Sequence, residues 1–227
     1  GQRKNRCEEG AAISSGIMRI ALVLPALTGG GAQRTFLNLA NYLDRSRFQP
    51  IVVLYRAEGV LLPALKEDVP VVALGCRGTH RSIIPLASWI SRATPDVVIS
   101  TLLHVNAAAV LAGRLSRTGV PVVVRETNNF TAAGRPTGTL SGRIIRWTYG
   151  KADAIVALSE GVRSDVACRY SLDIDRITTI YNPVDLDMIR SARCAEVAEL
   201  PGWSGAEATI RIIGIGRLVP QKGFDIL

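Results

Sequence analysis

Residues 18–43 read MRIALVLPALTGGGAQRTFLNLANYL. The opening run, 18–24, is apolar almost without interruption rather than alternating, the pattern of a strand covered on both faces. Three glycines follow, and behind them Phe36, Leu39, Ala40 and Leu43 recur at helical spacing. Strand, glycine loop and helix make the first βα unit.

The pattern repeats along the chain. Apolar runs at 48–55, 69–74, 96–100, 120–124, 153–158 and 176–181 read as further strands, each followed by a candidate helix. Such alternation predicts a doubly wound α/β domain with a parallel sheet. After YNPVD (181–185) and a short helix, SARCAEVAELPGWSGAEA (191–208) loses periodicity and carries Pro and Gly, as a linker does. A new strand is expected at 210–215. Residues 1–17 begin without methionine and lack the apolar core of a signal peptide, so we read them as a disordered leader. The expected organisation is therefore 1–17 leader, 18–191 first domain, 192–208 linker and 209–227 the start of a second, truncated domain.

The 227 residues are 48% hydrophobic and 20% charged, enough to bury a real core. The longest apolar stretch, 97–113, is interrupted by His104 and Asn106 and falls short of the roughly 20 residues a membrane-spanning helix needs. Cys7, Cys76, Cys168 and Cys194 are scattered, with no spacing for a metal site or a disulfide framework. Reduced thiols in the cytoplasm, and no metal, are expected.

Net charge is +8, and its distribution is uneven. Residues 69–152 hold ten Arg or Lys and two acids, Asp96 and Glu126, while the rest of the chain balances at 17 against 17. A basic block attracts phosphorylated substrates, anionic lipid headgroups or nucleic acid, or is simply solvated. Nucleic acid is disfavoured: Lys is scarce, aromatics are 5% and no recognition motif is present.

Two glycine-bearing loops follow strands. In the first, Gly29, Gly30 and Gly31 open a helix, where close backbone approach and the helix N-terminus favour an anion such as a diphosphate. It has neither the G-x-G-x-x-G dinucleotide fingerprint nor a Walker G-K-[ST]. A tight strand-to-helix turn explains the same glycines. In the second, after IRIIGIG (210–216), Arg217 and Lys222 flank LVPQ. A fork and a point charge on one loop outline a diphosphate clamp.

Taken in order, GGGAQRTFLNLA, ADAIVALSEGVRSDV, ITTIYNPVDLDMI and GIGRLVPQKGFDIL resemble the retaining glycosyltransferases of family 4, which have the GT-B fold. The resemblance covers residues 18–227. It implies two facing Rossmann-like domains, the first binding mainly the acceptor and the second mainly the nucleotide sugar. This chain would then hold the complete first domain and only the first strand and loop of the second.

Carried over, the resemblance makes Gly30, Gly31, Arg217 and Lys222 donor-diphosphate residues and places Gln33 and Asn128 on the acceptor side. The fifth strand ends in RETNN (125–129) where many relatives place a histidine, and so looks like a branch with an E-x-N pattern, often transferring sugars to glycans or lipid-linked carriers. Glu126 would orient an acceptor hydroxyl or act as base; pairing with Arg125 or Arg135 is the alternative. His104, following the fourth strand, either faces the cleft or simply starts a helix. Ser159 and Glu160 fit a helix cap and first turn, and Asn182, Pro183 and Asp185 a hinge.

Leu140, Ile144 and Trp147 fall on one helical face and Arg143 and Arg146 on another. That suits peripheral contact with an anionic membrane; packing of Ile144 and Trp147 into the core has the same spacing. The expected function is transfer of a sugar from a nucleotide-diphosphate sugar to a glycan or lipid-linked acceptor, with no further cofactor, at the inner face of the cytoplasmic membrane. The family's two-carboxylate motif is absent, so this chain alone is expected to be inactive. The alternatives are a nicotinamide-dependent Rossmann oxidoreductase, disfavoured by the missing fingerprint, and a non-enzymatic anion-binding or membrane-attached remnant.

Overall fold

The structure is a computed structural model and describes residues 16–127, 140–194, 213–216, 223, 224 and 226, without the side chains of 140 and 141. It divides into two compact units, Gly1–Pro183 and Val184–Leu227, and the division falls inside the N-P-V-D stretch.

The first unit is built on one seven-stranded, wholly parallel sheet of order β3-β2-β1-β4-β5-β6-β7. Its strands are β1 (Met18–Leu24), β2 (Phe48–Leu54), β3 (Val71–Ala73), β4 (Val97–Thr101), β5 (Val122–Glu126), β6 (Ala154–Ala157) and β7 (Ile177–Thr179). The described residues of the first unit also hold α1 (Gly31–Tyr42), α2 (Thr79–Ala93), α3 (Leu103–Ser116), α4 (Leu140–Gly150) and α5 (Glu160–Tyr170), and those of the second unit α6 (Leu186–Arg193).

β1 lies between β2 and β4, with Met18 opposite Phe48 and Ile20 opposite Val97. Alternation sends its side chains to both faces. Leu22 and Leu24 join Phe36 and Ala40 of α1 in one apolar cluster, while Ala21 and Val23 join Leu86, Ile90, Val98 and Ala109 in the other. All four of these β1 residues are fully buried, which is why this strand reads as an unbroken apolar run.

Three expectations need correction. β2 is not followed by an α-helix; Leu62–Ala64 makes one 3-10 turn, with Pro63 in it, and Leu61 and Val69 plug the core instead. The outer strands β3 and β7 are three residues long, shorter than their apolar runs, because each pairs on one side only. Residues 213–215, the described part of the strand expected at 210–215, are not strand, and Ile213 and Ile215 are exposed; they have no paired neighbour among the described residues.

In the second unit, α6 is capped by Asp185, whose Oδ1 accepts from the Met188 N–H at 2.9 Å. Asp187 in its first turn and Arg190 in its last oppose the helix dipole favourably.

Candidate functional site

In an open parallel sheet, ligands bind beyond the carboxyl ends of the strands where the strand order reverses. Here that point lies between β1 and β4. It is bordered by the glycine loop leading into α1 and by the turn leading into α3.

The glycine loop is held from behind by the segment that follows β2. The Leu27 N–H donates to the Glu58 carbonyl at 2.9 Å, and the Leu61 N–H returns a bond to the Leu27 carbonyl at 3.0 Å. Gly59 makes this approach feasible: its φ is +123°, and a Cβ there would stand 2.2 Å from the Leu27 backbone. Gly30 caps α1 with extended dihedrals, and Gln33 reaches back so that its Oε1 accepts from the Gly30 N–H. The Gln33 amide nitrogen also donates to Thr28 Oγ1 at 3.3 Å. Gln33, expected on the acceptor side, thus shapes the loop itself. Gly31 has nothing within 4 Å of where a Cβ would stand, and the first turn of α1 holds no acid. The positive end of the helix is therefore open to an anion.

Across the switch point, Leu102 joins β4 to α3 with φ 77° and ψ 128°, a conformation that costs a non-glycine residue about 1–3 kcal/mol. His104 follows on the first turn of α3 and is exposed. It lines a mostly apolar groove of about 300 Å³ with His80, Ile83, Leu111 and Ile144. The chain's two histidines therefore meet at one groove, a proximity set by α2 and α3 packing together. His80 had no signal in the sequence, because 24 positions separate it from His104 and only the fold joins them.

Glu126 lies in the buried layer below the switch point. Its side chain ends β5 but is fully buried, and Oε1 accepts from Asn106 Nδ2 at 2.9 Å and from the Tyr149 hydroxyl. Its partners include a helix amide and a phenol, with the charge of Arg125 nearby. Asn106 Oδ1 in turn accepts from Ser100 Oγ at 2.8 Å, and its Nδ2 also approaches the Arg125 carbonyl at 3.1 Å. The ring of Tyr149 packs on Tyr170 with centroids 5.2 Å apart. The enclosed carboxylate ties α3, α4 and β5 together beneath the switch point. Asn106 was legible only as an interruption of an apolar helix, and Tyr149 not at all.

Arg125 points elsewhere. It is buried, donates to Thr101 Oγ1 at 3.4 Å, and its Nη2 bonds Asn182 Oδ1. Burial lowers its pKa while the Glu126 charge opposes the shift. The first unit thereby clasps Asn182, immediately before the division between units. Ser159 does cap α5, accepting from the Val162 N–H at 3.3 Å.

On α4, Ile145, Thr148 and Tyr149 face the core. Ile144 and Trp147 are 47% and 53% exposed, and Arg143 and Arg146 are exposed beside them. Core packing of Ile144 and Trp147 is thereby excluded. The side chain of Leu140 lies outside the described residues, as do Asn128, Arg135, Arg217 and Lys222. Among the described residues no His, Cys, Asp and Glu side chains gather as a metal site, and no helix is long and apolar enough to cross a membrane.

Comparison with solved structures places this geometry. HepE of Anabaena, in complex with UDP and glucose, superposes with a TM-score of 0.60 at 18% identity, over 75% of this chain and 46% of that one. A glycosyltransferase from Rickettsia africae gives 0.55 at 21%, over 79% and 46%. The apo lipopolysaccharide outer core galactosyltransferase WaaB gives 0.52 at 17%, over 74% and 46%. These likenesses show the fold, that of the N-terminal Rossmann-like domain of GT-B glycosyltransferases, and the chain spans about half the length of these proteins. By sequence, no curated protein matches. The family model of Glycosyltransferase Family 4 matches residues 29–188, from the glycine loop into α6. This chain belongs to Glycosyltransferase Family 4.

Proposed function

We propose that this chain supplies the acceptor-side domain of a retaining glycosyltransferase that moves a hexose-like unit from a nucleotide-diphosphate sugar to a glycan or lipid-linked acceptor. The observation that carries it is the braced glycine loop at the switch point: beyond the Gly30 cap, Gly31 begins a helix whose open N-terminus offers a diphosphate backbone N–H groups and the helix dipole. HepE, which shares this fold, was crystallised with UDP and with UDP-glucose, which supports a nucleotide-sugar donor.

By the resemblance, Arg217 and Lys222 would stabilise the charge of the leaving nucleotide diphosphate, without an essential metal. His104, exposed on the first turn of α3, is the described side chain best placed to meet an acceptor; Glu126 acts behind it by fixing α3 through Asn106. The resemblance assigns the donor-sugar contacts to a second domain, and the 227 residues by themselves are proposed not to turn over. Incubation of the 227-residue chain with UDP-glucose and mixed glycan and lipid acceptors tests this: no UDP release is expected, and turnover contradicts it.

The exposed Arg143, Ile144, Arg146 and Trp147 of α4 support a peripheral seat on an anionic membrane, with Trp147 at the headgroup level. The free thiols of Cys76, Cys168 and Cys194 fit the cytoplasmic side.

A further inference from the structure

Much of the basic block is not spent at the switch point. At the other end of the sheet, where β5 and β6 begin, a cavity of about 260 Å³ is lined by Arg114, Arg117, Gly119, Val122, Lys151 and Asp153. It stands one strand length, about 16 Å, from the carboxyl ends that carry the glycine loop.

The cavity is built rather than incidental to a flat surface. Arg117 ends α3 with φ 58°, and Gly119 follows at φ +73°, so the chain bends back sharply before β5. Val120 and Val122 are buried and floor the bend. Arg114 Nη2 donates to the Lys151 carbonyl at 3.0 Å, which fixes one guanidinium on the rim and joins the end of α3 to the turn after α4. Asp153 Oδ2 accepts from the Val122 N–H at 2.8 Å, which turns that carboxylate toward the backbone. No atom lies within 4 Å of where a Cβ of Gly119 would stand, so the mouth is open there.

Charge decides what fits. Among the described residues, Arg114, Arg117 and Lys151 make no ion pair with an acid. Three cations and one carboxylate give the lining a formal charge of +2, which matches a phosphate dianion. Guanidinium forks suit phosphate oxygens geometrically, and lysine adds a compact charge.

We propose that this cavity binds a terminal phosphate group, a phosphomonoester carried by a lipid headgroup or by a soluble molecule. The site does not depend on the glycosyltransferase assignment, since it shares no residue with the glycine loop. It adjoins the exposed face of α4 through Lys151, which also lines the neighbouring depression beside Arg146 and Trp147. A lipid-borne phosphate would therefore be reached from the same side as that face.

The test titrates the full ¹⁵N-labelled chain with inorganic phosphate and with pyrophosphate. In parallel it measures cosedimentation with phosphatidylcholine vesicles containing either phosphatidic acid, a monoester, or phosphatidylglycerol, a diester, at equal charge density. Saturable amide shifts centred on Gly119, Val120 and Lys151 are expected. The double variant Arg117→Glu/Lys151→Glu should weaken binding by about tenfold or more, and Arg92→Glu, a reversal elsewhere on the surface, should not. Preference for phosphatidic acid over phosphatidylglycerol assigns the phosphate to a lipid; saturation by the soluble probes without that preference assigns it to a soluble phosphoester. Absence of saturable shifts at those amides with every probe, or equal binding by the double variant, overturns the proposal. Should the double variant not fold, the wild-type shift map alone decides.

Discussion

Asn106 on α3 and Glu126 at the end of β5 are joined by a 2.9 Å hydrogen bond in the fully buried layer under the switch point. Because Nδ2 of the same amide also approaches the Tyr149 hydroxyl at 2.9 Å, one side chain couples two helices to the sheet. Removing it strands buried polar groups, whose hydrogen bonds are worth about 1.5–3 kcal/mol when one partner is charged. Asn106→Ala should lower unfolding free energy by about 2–4 kcal/mol in urea titrations. Glu126→Gln should cost less and leave UDP binding unchanged; abolished UDP binding with unaltered stability would return Glu126 to the reacting groups.

The glycine loop separates packing from ligand approach. Gly59→Ala forces a Cβ into the Leu27 backbone at positive φ and should destabilise by more than about 2 kcal/mol. Gly31→Ala meets open space on a helix and should change stability by less than about 1 kcal/mol. Thermal melts of the two variants measure the contrast.

Two buried tyrosines set the alkaline limit. Burial pushes the Tyr55 hydroxyl up to about 12, and burial with the nearby Glu126 charge pushes Tyr170 to about 12. Unfolded tyrosine ionises near 10, so between these values the unfolded chain holds fewer protons than the folded one. Stability is therefore complete below about pH 10 and falls as pH rises through 12. Ultraviolet titration should show part of the tyrosine absorbance change delayed until the chain unfolds.

Trp147 is half exposed and carries no core packing. Trp147→Ala should leave stability within about 0.5 kcal/mol of the parent yet weaken cosedimentation with anionic vesicles severalfold. Undiminished vesicle binding would remove α4 from the membrane account.

How far the sequence spoke depended on the range of the physics involved. The continuous run at 18–24 and its successors set seven strands in nearly the right places, since burial on both faces is written locally in Ile, Leu and Val. Helix α4 was ambiguous: Ile144 with Trp147 and Ile145 with Tyr149 both satisfy helical spacing, and only the packing against α3 and α5 selects the second pair as the buried one. The partners of Glu126 were illegible because they come from residues 20 positions before it and 23 after it, brought together by parallel register. The glycines of the loop were visible, whereas the brace at Gly59 was not, since its demand arises from a backbone crossing and not from its neighbours in sequence.

The glycine loop is proposed to receive the donor diphosphate. An amide shift map of the full chain titrated with UDP, and separately with NADH, tests it most directly. Saturable UDP shifts are expected at Gly29, Gly30, Gly31 and Ala32, and no saturable effect of NADH. Unmoved amides in that loop under saturating UDP, or NADH binding there instead, would contradict it.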